Sequence, residues 1–355
     1  MPFVRAPGRV NLIGDHTDYQ AGLCLPMAIN REVRIDFGAR TDGRARVRSE
    51  ALGGMVDVAA DGSTVVTGVD PPWGRTVAAV LAVLARRGRQ PVGFDADITT
   101  TVPIGSGLSS SAAVGIALAL VAAAVSDLTL GPTEVALAGQ EAEQLASGVP
   151  CGVMDQLASV GGRAGHALLL DCRTLSIAPV PLPPELEILV IHSGLERRLE
   201  TSAYAQRRAA CEAAAERLGV ETLRDASIEQ VADDPIARHV VTENGRVAAF
   251  AEALTRADLP TCGALMLASH RSLRDDFQVS TPELDRLVEL SVEAGAHGAR
   301  LTGAGFGGCI VALVDVGMRD AVATAVTGRY RADTGRDPSA FAVSAVDGAG
   351  FVPDN

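Results

Sequence analysis

The chain contains no lysine; all 31 basic residues among its 355 are arginine. That absence excludes a Walker-type phosphate lysine, the strand lysine of a protein kinase and any Schiff-base chemistry. Phosphate bound here must be met by backbone N–H groups, a metal ion or arginine. Positive charge is scarce as well. A net charge of −12 leaves no basic face for nucleic acid, whose backbone is held by cationic side chains. The six cysteines include no C-x-x-C pair. They read as reduced core residues of a cytoplasmic protein, not as a disulfide framework or a zinc site. Long hydrophobic runs are missing too. Ile116 to Val125 is apolar but short for a membrane span, and it reads as a core helix. The opening Met1-Pro2-Phe3-Val4-Arg5 lacks the apolar stretch of a secretion signal.

What is present suits a large folded protein. A hydrophobic content of 47% over this length supports two domains or one large one. Pro179-Val180-Pro181-Leu182-Pro183-Pro184 cannot continue a helix or a central strand, so it marks the expected joint. The predicted lobes are 1–180 and 185–355. In the first, strands are expected near 32–38, 44–49, 54–59, 94–101 and 166–171, with helices near 74–88, 110–126, 132–147 and 152–160. In the second, a strand at 187–193 precedes helices near 200–218, 260–275 and 281–294. A strand at 309–315, a helix at 318–330 and a strand at 339–346 close the chain. Strands grouped between helices indicate an α+β fold.

Three segments carry the chemistry. The first is Arg9-Val10-Asn11-Leu12-Ile13-Gly14-Asp15-His16-Thr17-Asp18-Tyr19. A cation, an imidazole and two carboxylates this close would each need a partner if buried. They suit a site that grips several hydroxyls of one small polar ligand, although a polar turn would look the same in isolation. The second is Pro103-Ile104-Gly105-Ser106-Gly107-Leu108-Ser109-Ser110-Ser111, set between an alternating strand pattern and an apolar helix. Its glycines let backbone approach a ligand, its serines supply a cap and hydroxyls, and the helix N-terminus favours an anion. The third is Leu301-Thr302-Gly303-Ala304-Gly305-Phe306-Gly307-Gly308. It matches G-x-G-x-x-G, but a strand follows it, and a dinucleotide fingerprint requires a helix there. It reads as a second glycine loop near phosphates, or as a hairpin.

In this order, these segments resemble the galactokinase branch of the GHMP small-molecule kinases. The resemblance extends to Ser147-Gly148-Val149-Pro150-Cys151-Gly152-Val153-Met154-Asp155-Gln156, to Ser202-Ala203-Tyr204-Ala205-Gln206-Arg207-Arg208, and to Ser269-His270-Arg271-Ser272-Leu273-Arg274-Asp275-Asp276-Phe277. It covers nearly the whole chain. It implies two α+β lobes with the active site in the cleft between them. It also implies ATP-dependent phosphorylation of the anomeric hydroxyl of galactose. The expected partners are ATP, Mg²⁺ and one small sugar, with no nucleic acid and no membrane, in a cytoplasmic monomer.

The resemblance assigns roles residue by residue. Asp155 is either the base or mainly the residue that orients the sugar hydroxyl, in the first turn of a helix whose dipole favours negative charge. Arg9 stabilises charge on the transferring oxygens. Asp15, His16, Asp18, Gly152 and Tyr204 bind the sugar, carboxylates being good acceptors for a polyol. Gly105, Ser106, Gly107, Leu108, Ser109, Ser110 and Ser111 hold the nucleotide. Mg²⁺ is expected on Ser111 with Glu143 as second anchor, hard oxygen donors that suit it, although Glu143 equally fits an exposed helix position. Trp73 either stacks on adenine or staples the start of a helix.

The chain departs from the galactokinase pattern in places. Asp15 stands where glutamate is usual, Gln20-Ala21-Gly22 differs from the usual turn, and Ala304 replaces a common glycine. Those changes bear on the identity of the sugar. Another hexose, an N-acetylhexosamine or a cyclitol remains an alternative substrate. A non-catalytic galactose and ATP sensor is the alternative from a different class.

Overall fold

The computed structural model describes residues 3–195 and 200–352. Met1 and Pro2 of the opening stretch, and positions 353–355 of the expected second lobe, lie outside these. The first sheet is built from β1 (Phe3–Asn11), preceding the two-residue β2 (Leu23–Cys24), and from β3 (Pro26–Arg40), β4 (Arg44–Ser49) and β5 (Met55–Ala59). After α1 (Gly74–Arg86) comes β6 (Gly93–Thr100), then α2 (Ser110–Ala124), α3 (Pro132–Ser147) and α4 (Met154–Gly161). A small sheet follows with β7 (His166–Asp171) and β8 (Ser176–Pro181). The rest of the chain is β9 (Leu186–His192), α5 (Glu200–Leu218), α6 (Pro235–Thr255), α7 (Leu259–Asp275), α8 (Pro282–Glu293), β10 (Gly298–Leu301), β11 (Cys309–Asp315), α9 (Arg319–Thr334), β12 (Ser339–Val343) and β13 (Gly350–Val352).

The large sheet runs β13-β1-β3-β6-β4-β5, the second β10-β11-β9-β12 and the third β2-β7-β8. Only β4 and β6 pair in parallel; the other described ladders are antiparallel. Helix α2 is apolar on nearly every face because it is covered on nearly every face. Val114, Ile116, Leu118 and Val121 join the core that α1 and α3 form over the large sheet. A separate core lies under β9, β11 and α8. A third core joins the two halves: Val10, Leu12 and Ile13 pack with Val190, Val311, Val247 and Phe250. The start of the chain is therefore clamped between both layers, which is where its polar residues become useful.

The structure differs from the sequence reading in instructive ways. Residues 235–255 form a 21-residue helix that the sequence reading left unassigned. His239, Glu243 and Asn244 interrupt its apolar stripe, and they are partnered by tertiary contacts invisible to periodicity. Strands β1 and β10 were also unassigned, and β3 extends over 15 residues rather than 32–38. Pro179 and Pro181 stand inside β8, paired with Leu168 and His166. Strand β8 is the outer strand of its sheet, the one position where missing N–H groups cost little. Strand β13 returns to pair with β1, so the chain crosses the expected division at 180–185 a second time.

Candidate active site

Arg9 is positioned by a defect in a strand. The register of β1 against β3 shifts between Pro7 and Arg9. Gly8 occupies the bulge, and a Cβ there would lie 2.5 Å from the Leu108 carbonyl oxygen. A bulge re-aims the next side chain. Here it brings β1 against the glycine loop, and the Arg9 N–H donates to the Leu108 carbonyl at 3.1 Å. The Arg9 side chain is 5% exposed. Its Nη1 donates to the Gly107 carbonyl at 2.6 Å. Its Nε and Nη2 donate to Asp155 Oδ1 and Oδ2 at 2.7 and 3.0 Å. That is the two-pronged geometry that only a guanidinium offers a carboxylate. Burial disfavours the Arg9 charge, but Asp155 and Asp15 outweigh it and hold its pKa above the ordinary value.

Asp155 lies in the first turn of α4. Its side chain is 29% exposed, so it opens to a ligand while remaining anchored. A third donor fixes it: the Ser109 hydroxyl reaches Asp155 Oδ2 at 2.5 Å. Ser109 is the N-cap residue of α2 in a left-handed conformation, φ 62°. That unusual backbone turns its hydroxyl toward Asp155 instead of capping the helix, and no side-chain cap bond forms.

The same loop wraps the N-terminus of α2. Gly105 and Gly107 have φ of 72° and 81°, values that side chains rarely adopt. Gly105, Gly107, Ser109, Ser110 and Ser111 line a cleft of about 590 Å³. Ser106 and Leu108 do not face it. Ser106 is buried, with its hydroxyl donating to the Pro103 carbonyl at 2.6 Å. Leu108 points into the shared core. Alternation along an irregular loop turns these two inward, which the glycine-serine pattern alone does not reveal.

Asp15, His16, Asp18, Gly152 and Tyr204 line the end of the cleft beside Arg9 and Asp155. Asp18 accepts hydrogen bonds from the Met154 and Tyr19 N–H groups. Burial and the neighbouring Asp155 nevertheless push its pKa up to about 6. The Gly152 backbone hydrogen-bonds the Tyr204 hydroxyl. His16 is held at φ 64°. Its Nε2 lies 3.1 Å from the Ala304 carbonyl and its Nδ1 2.9 Å from the Tyr19 hydroxyl. A carbonyl only accepts, so Nε2 carries the proton and Nδ1 accepts from Tyr19. Burial, helped by His239, lowers the His16 pKa to about 3, so the ring stays neutral. Asp15 is buried; burial raises its pKa despite the opposing charges of Arg300 and Arg9.

The third glycine segment is a hairpin joining antiparallel β10 and β11, as the strand after it requires. Its contacts run to the signature residues. The Gly303 N–H donates to Asp15 Oδ1 at 2.9 Å, and Ala304 holds His16 as above. It closes the Asp15 end of the cleft rather than extending the phosphate loop.

At the other side of Asp155, the Ser111 hydroxyl donates to Glu143 Oε1 at 2.6 Å, and Gln156 Nε2 donates to Oε2 at 2.6 Å. Burial raises the Glu143 pKa to about 7. No cluster of three or more ionisable metal ligands exists among the described residues. Trp73 precedes α1 and lines the far wall of the cleft with Leu52 and Thr76. Its Nε1 donates to the Gly53 carbonyl at 2.7 Å.

Sequence reasoning missed the layer behind the cleft. From α6, His239 Nε2 donates to the Asp15 carbonyl at 3.1 Å, and Glu243 Oε1 accepts from the Gly14 N–H at 3.0 Å. The signal was a histidine and a glutamate one helical turn apart in an otherwise apolar segment, a spacing that places both on one face.

The galactokinase galactose-binding signature matches residues 2–37. The GHMP kinases N terminal domain matches 75–163 and the GHMP kinases C terminal region matches 250–332. The galactokinase of Lactococcus lactis, solved with galactose, superposes with a TM-score of 0.93 at 32% identity, over 98% of this chain and 94% of that one. The mevalonate kinase of Methanococcus jannaschii shares the fold, with a TM-score of 0.69 at 18% identity over 97% and 98% of the two chains. The mevalonate kinase of L. major does likewise, at 0.67 and 20%, over 97% and 95%. A two-lobed GHMP fold, a galactose signature on β1 and a glycine loop at the start of α2 thus occur together, and the chain belongs to the galactokinase family of the GHMP kinases.

Proposed function

We propose that this protein transfers the γ-phosphoryl group of ATP to the anomeric hydroxyl of galactose, giving galactose 1-phosphate and ADP. The observation that carries the reading is the Arg9–Asp155 pair. It stands in one cleft between the galactose signature and the glycine loop. Phosphoryl transfer depends mainly on positioning and electrostatics, and each part of this cleft is suited to one of those tasks.

Asp15, Asp18, His16 and Tyr204 bind the sugar hydroxyls. The backbone of Gly105 and Gly107 and the N-terminus of α2 receive the phosphates, with no lysine required. Trp73, at the far wall, flanks the adenine of ATP. Asp155 orients the anomeric hydroxyl and takes its proton as the O1–P bond forms and the Pβ–O–Pγ bridge breaks. Arg9 keeps Asp155 aimed and offers positive charge to the reacting oxygens. Ser111 and Glu143 fit Mg²⁺: one hydroxyl and one carboxylate are hard donors that leave room for phosphate oxygens. When bound, the ion supplies neutralisation of phosphate charge. All six cysteines are free thiols, which suits a reducing compartment such as the cytoplasm. No helix among the described residues is long and apolar enough to cross a membrane.

The test is product identity. Incubation with ATP, Mg²⁺ and galactose should yield ADP and a sugar phosphate whose phosphorus couples to the anomeric proton in NMR. Phosphate on any other carbon would remove the assignment of Asp155 to that hydroxyl.

A further inference from the structure

Arg300 has no exposed surface and does not line the cleft, yet it ends against a residue that does. Its Nη2 lies 2.6 Å from Asp15 Oδ2. The contact is a close, fully buried ion pair. The other anion within reach is Glu243, 4.0 Å from the same nitrogen. Glu243 is already satisfied. Arg246 Nε donates to its Oε2 at 2.6 Å, and the Ser269 hydroxyl donates to its Oε1 at 2.5 Å. The charge of Arg300 therefore serves Asp15 first.

The backbone at Gly14 and Asp15 is held by α6, while Arg300 Nη1 donates to the Asn11 carbonyl upstream at 3.4 Å. Glu243 holds the Gly14 N–H and His239 holds the Asp15 carbonyl. What remains free is the direction of the carboxylate. The Gly303 N–H takes Oδ1 from one side and Arg300 takes Oδ2 from the other. An ionised carboxylate has about four acceptor directions, so these two donors and the Asn11 side chain leave capacity for a ligand. Without Arg300, a carboxylate whose side chain is 2% exposed would lack its nearest counter-charge, and a buried charge stripped of its partner is strongly disfavoured.

We propose that Arg300 is a positioning residue for the sugar: it aims the Asp15 carboxylate into the cleft and sets how tightly the sugar is held, without touching the sugar itself. This rests on the sugar-site reading above, and the two fail differently. If the wild-type protein does not phosphorylate galactose, that reading falls. If it does, the variants judge Arg300.

The experiment is a double-mutant cycle in steady-state kinetics with Arg300→Met, Asp15→Asn and both together, plus Arg300→Lys. Removing one partner of a buried pair is costly, and Arg300→Met should raise the galactose KM by roughly tenfold or more, with the KM for ATP within about twofold of wild type. The double variant should be no worse than Asp15→Asn alone, because residues acting through one contact are not additive. Arg300→Lys, which keeps the charge on which the pair depends, should recover most of the galactose affinity. If Arg300→Met does not fold, comparing Asp15→Asn with the double variant, in which both members of the pair are uncharged, answers the same question. Four results would overturn the proposal: an unchanged galactose KM in folded Arg300→Met, effects that multiply in the double variant, an equal rise in the KM for ATP, or no recovery with lysine.

Discussion

Gly152 and Asp18 occupy overlapping space: a Cβ on Gly152 would fall 1.8 Å from Asp18 Oδ2. Only glycine lets the carboxylate lie across the backbone that also holds Tyr204. Gly152→Ala must push Asp18 aside. Overpacking of this kind costs about 1–3 kcal/mol, and the galactose KM should rise by roughly five- to a hundredfold. ATP affinity should stay near wild type. Parallel KM measurements for the two substrates check this; a loss shared equally by both would contradict it.

Arg9→Lys tests the two-pronged pair. An ammonium cannot donate to both Asp155 oxygens and to the Gly107 carbonyl together. Loss of a preorganised charge donor typically lowers kcat by roughly 10²–10³-fold, and the galactose KM should move much less. A rise in KM with kcat intact would assign Arg9 to binding alone.

For Asp155→Ala, the expected fall in kcat is roughly 10²–10⁴-fold, the range for a positioned proton acceptor. The fold should survive, because the side chain is partly exposed. Ser109→Ala removes only the 2.5 Å hydroxyl bond to Asp155 and should give a smaller decrease in kcat. Near wild-type turnover of purified, folded Asp155→Ala would exclude it as the acceptor.

Asp18 gives a pH signature. Burial, with repulsion from Asp155, lifts its pKa to about 6. Above that value the carboxylate is ionised and both oxygens accept hydroxyl hydrogens. Below it the group is protonated, and kcat/KM for galactose should fall about tenfold per pH unit. Asp18→Asn should lower kcat/KM at pH 8 and flatten that acid limb. An acid limb unchanged in the variant would assign it to another group.

The cleft was legible in the sequence to the extent that its residues were contiguous. Arg9 to Asp18, the glycine loop and Asp155 each sit in a short polar segment that local chemistry makes conspicuous. The strand-loop-helix around Gly105–Ser111 was readable from the change of period at either side. What escaped depends on contacts distant in sequence. Arg300 stands in a short strand with an apolar neighbour on each side, and nothing local marks it as the counter-charge of Asp15. Glu243 lies in a helix the sequence does not announce; it is fully buried, and Arg246, His239 and Arg300 overcome burial to lower its pKa to about 2. Pro179 and Pro181 lie in the outer strand of their sheet, and a sequence does not show which strands lie at a sheet edge.

The central claim concerns which sugar hydroxyl pattern this cleft accepts. The most direct measurement is kcat/KM for galactose, glucose, N-acetylgalactosamine and talose under one set of ATP and Mg²⁺ conditions. A site that pairs with a hydroxyl through Asp15, His16 and Asp18 leaves its own polar groups unpaired when that hydroxyl is misplaced, which costs far more than a lost apolar contact. Galactose should therefore exceed glucose, its C4 epimer, by roughly 10²-fold or more. Turnover of none of the four sugars by protein that still binds ATP would contradict the account.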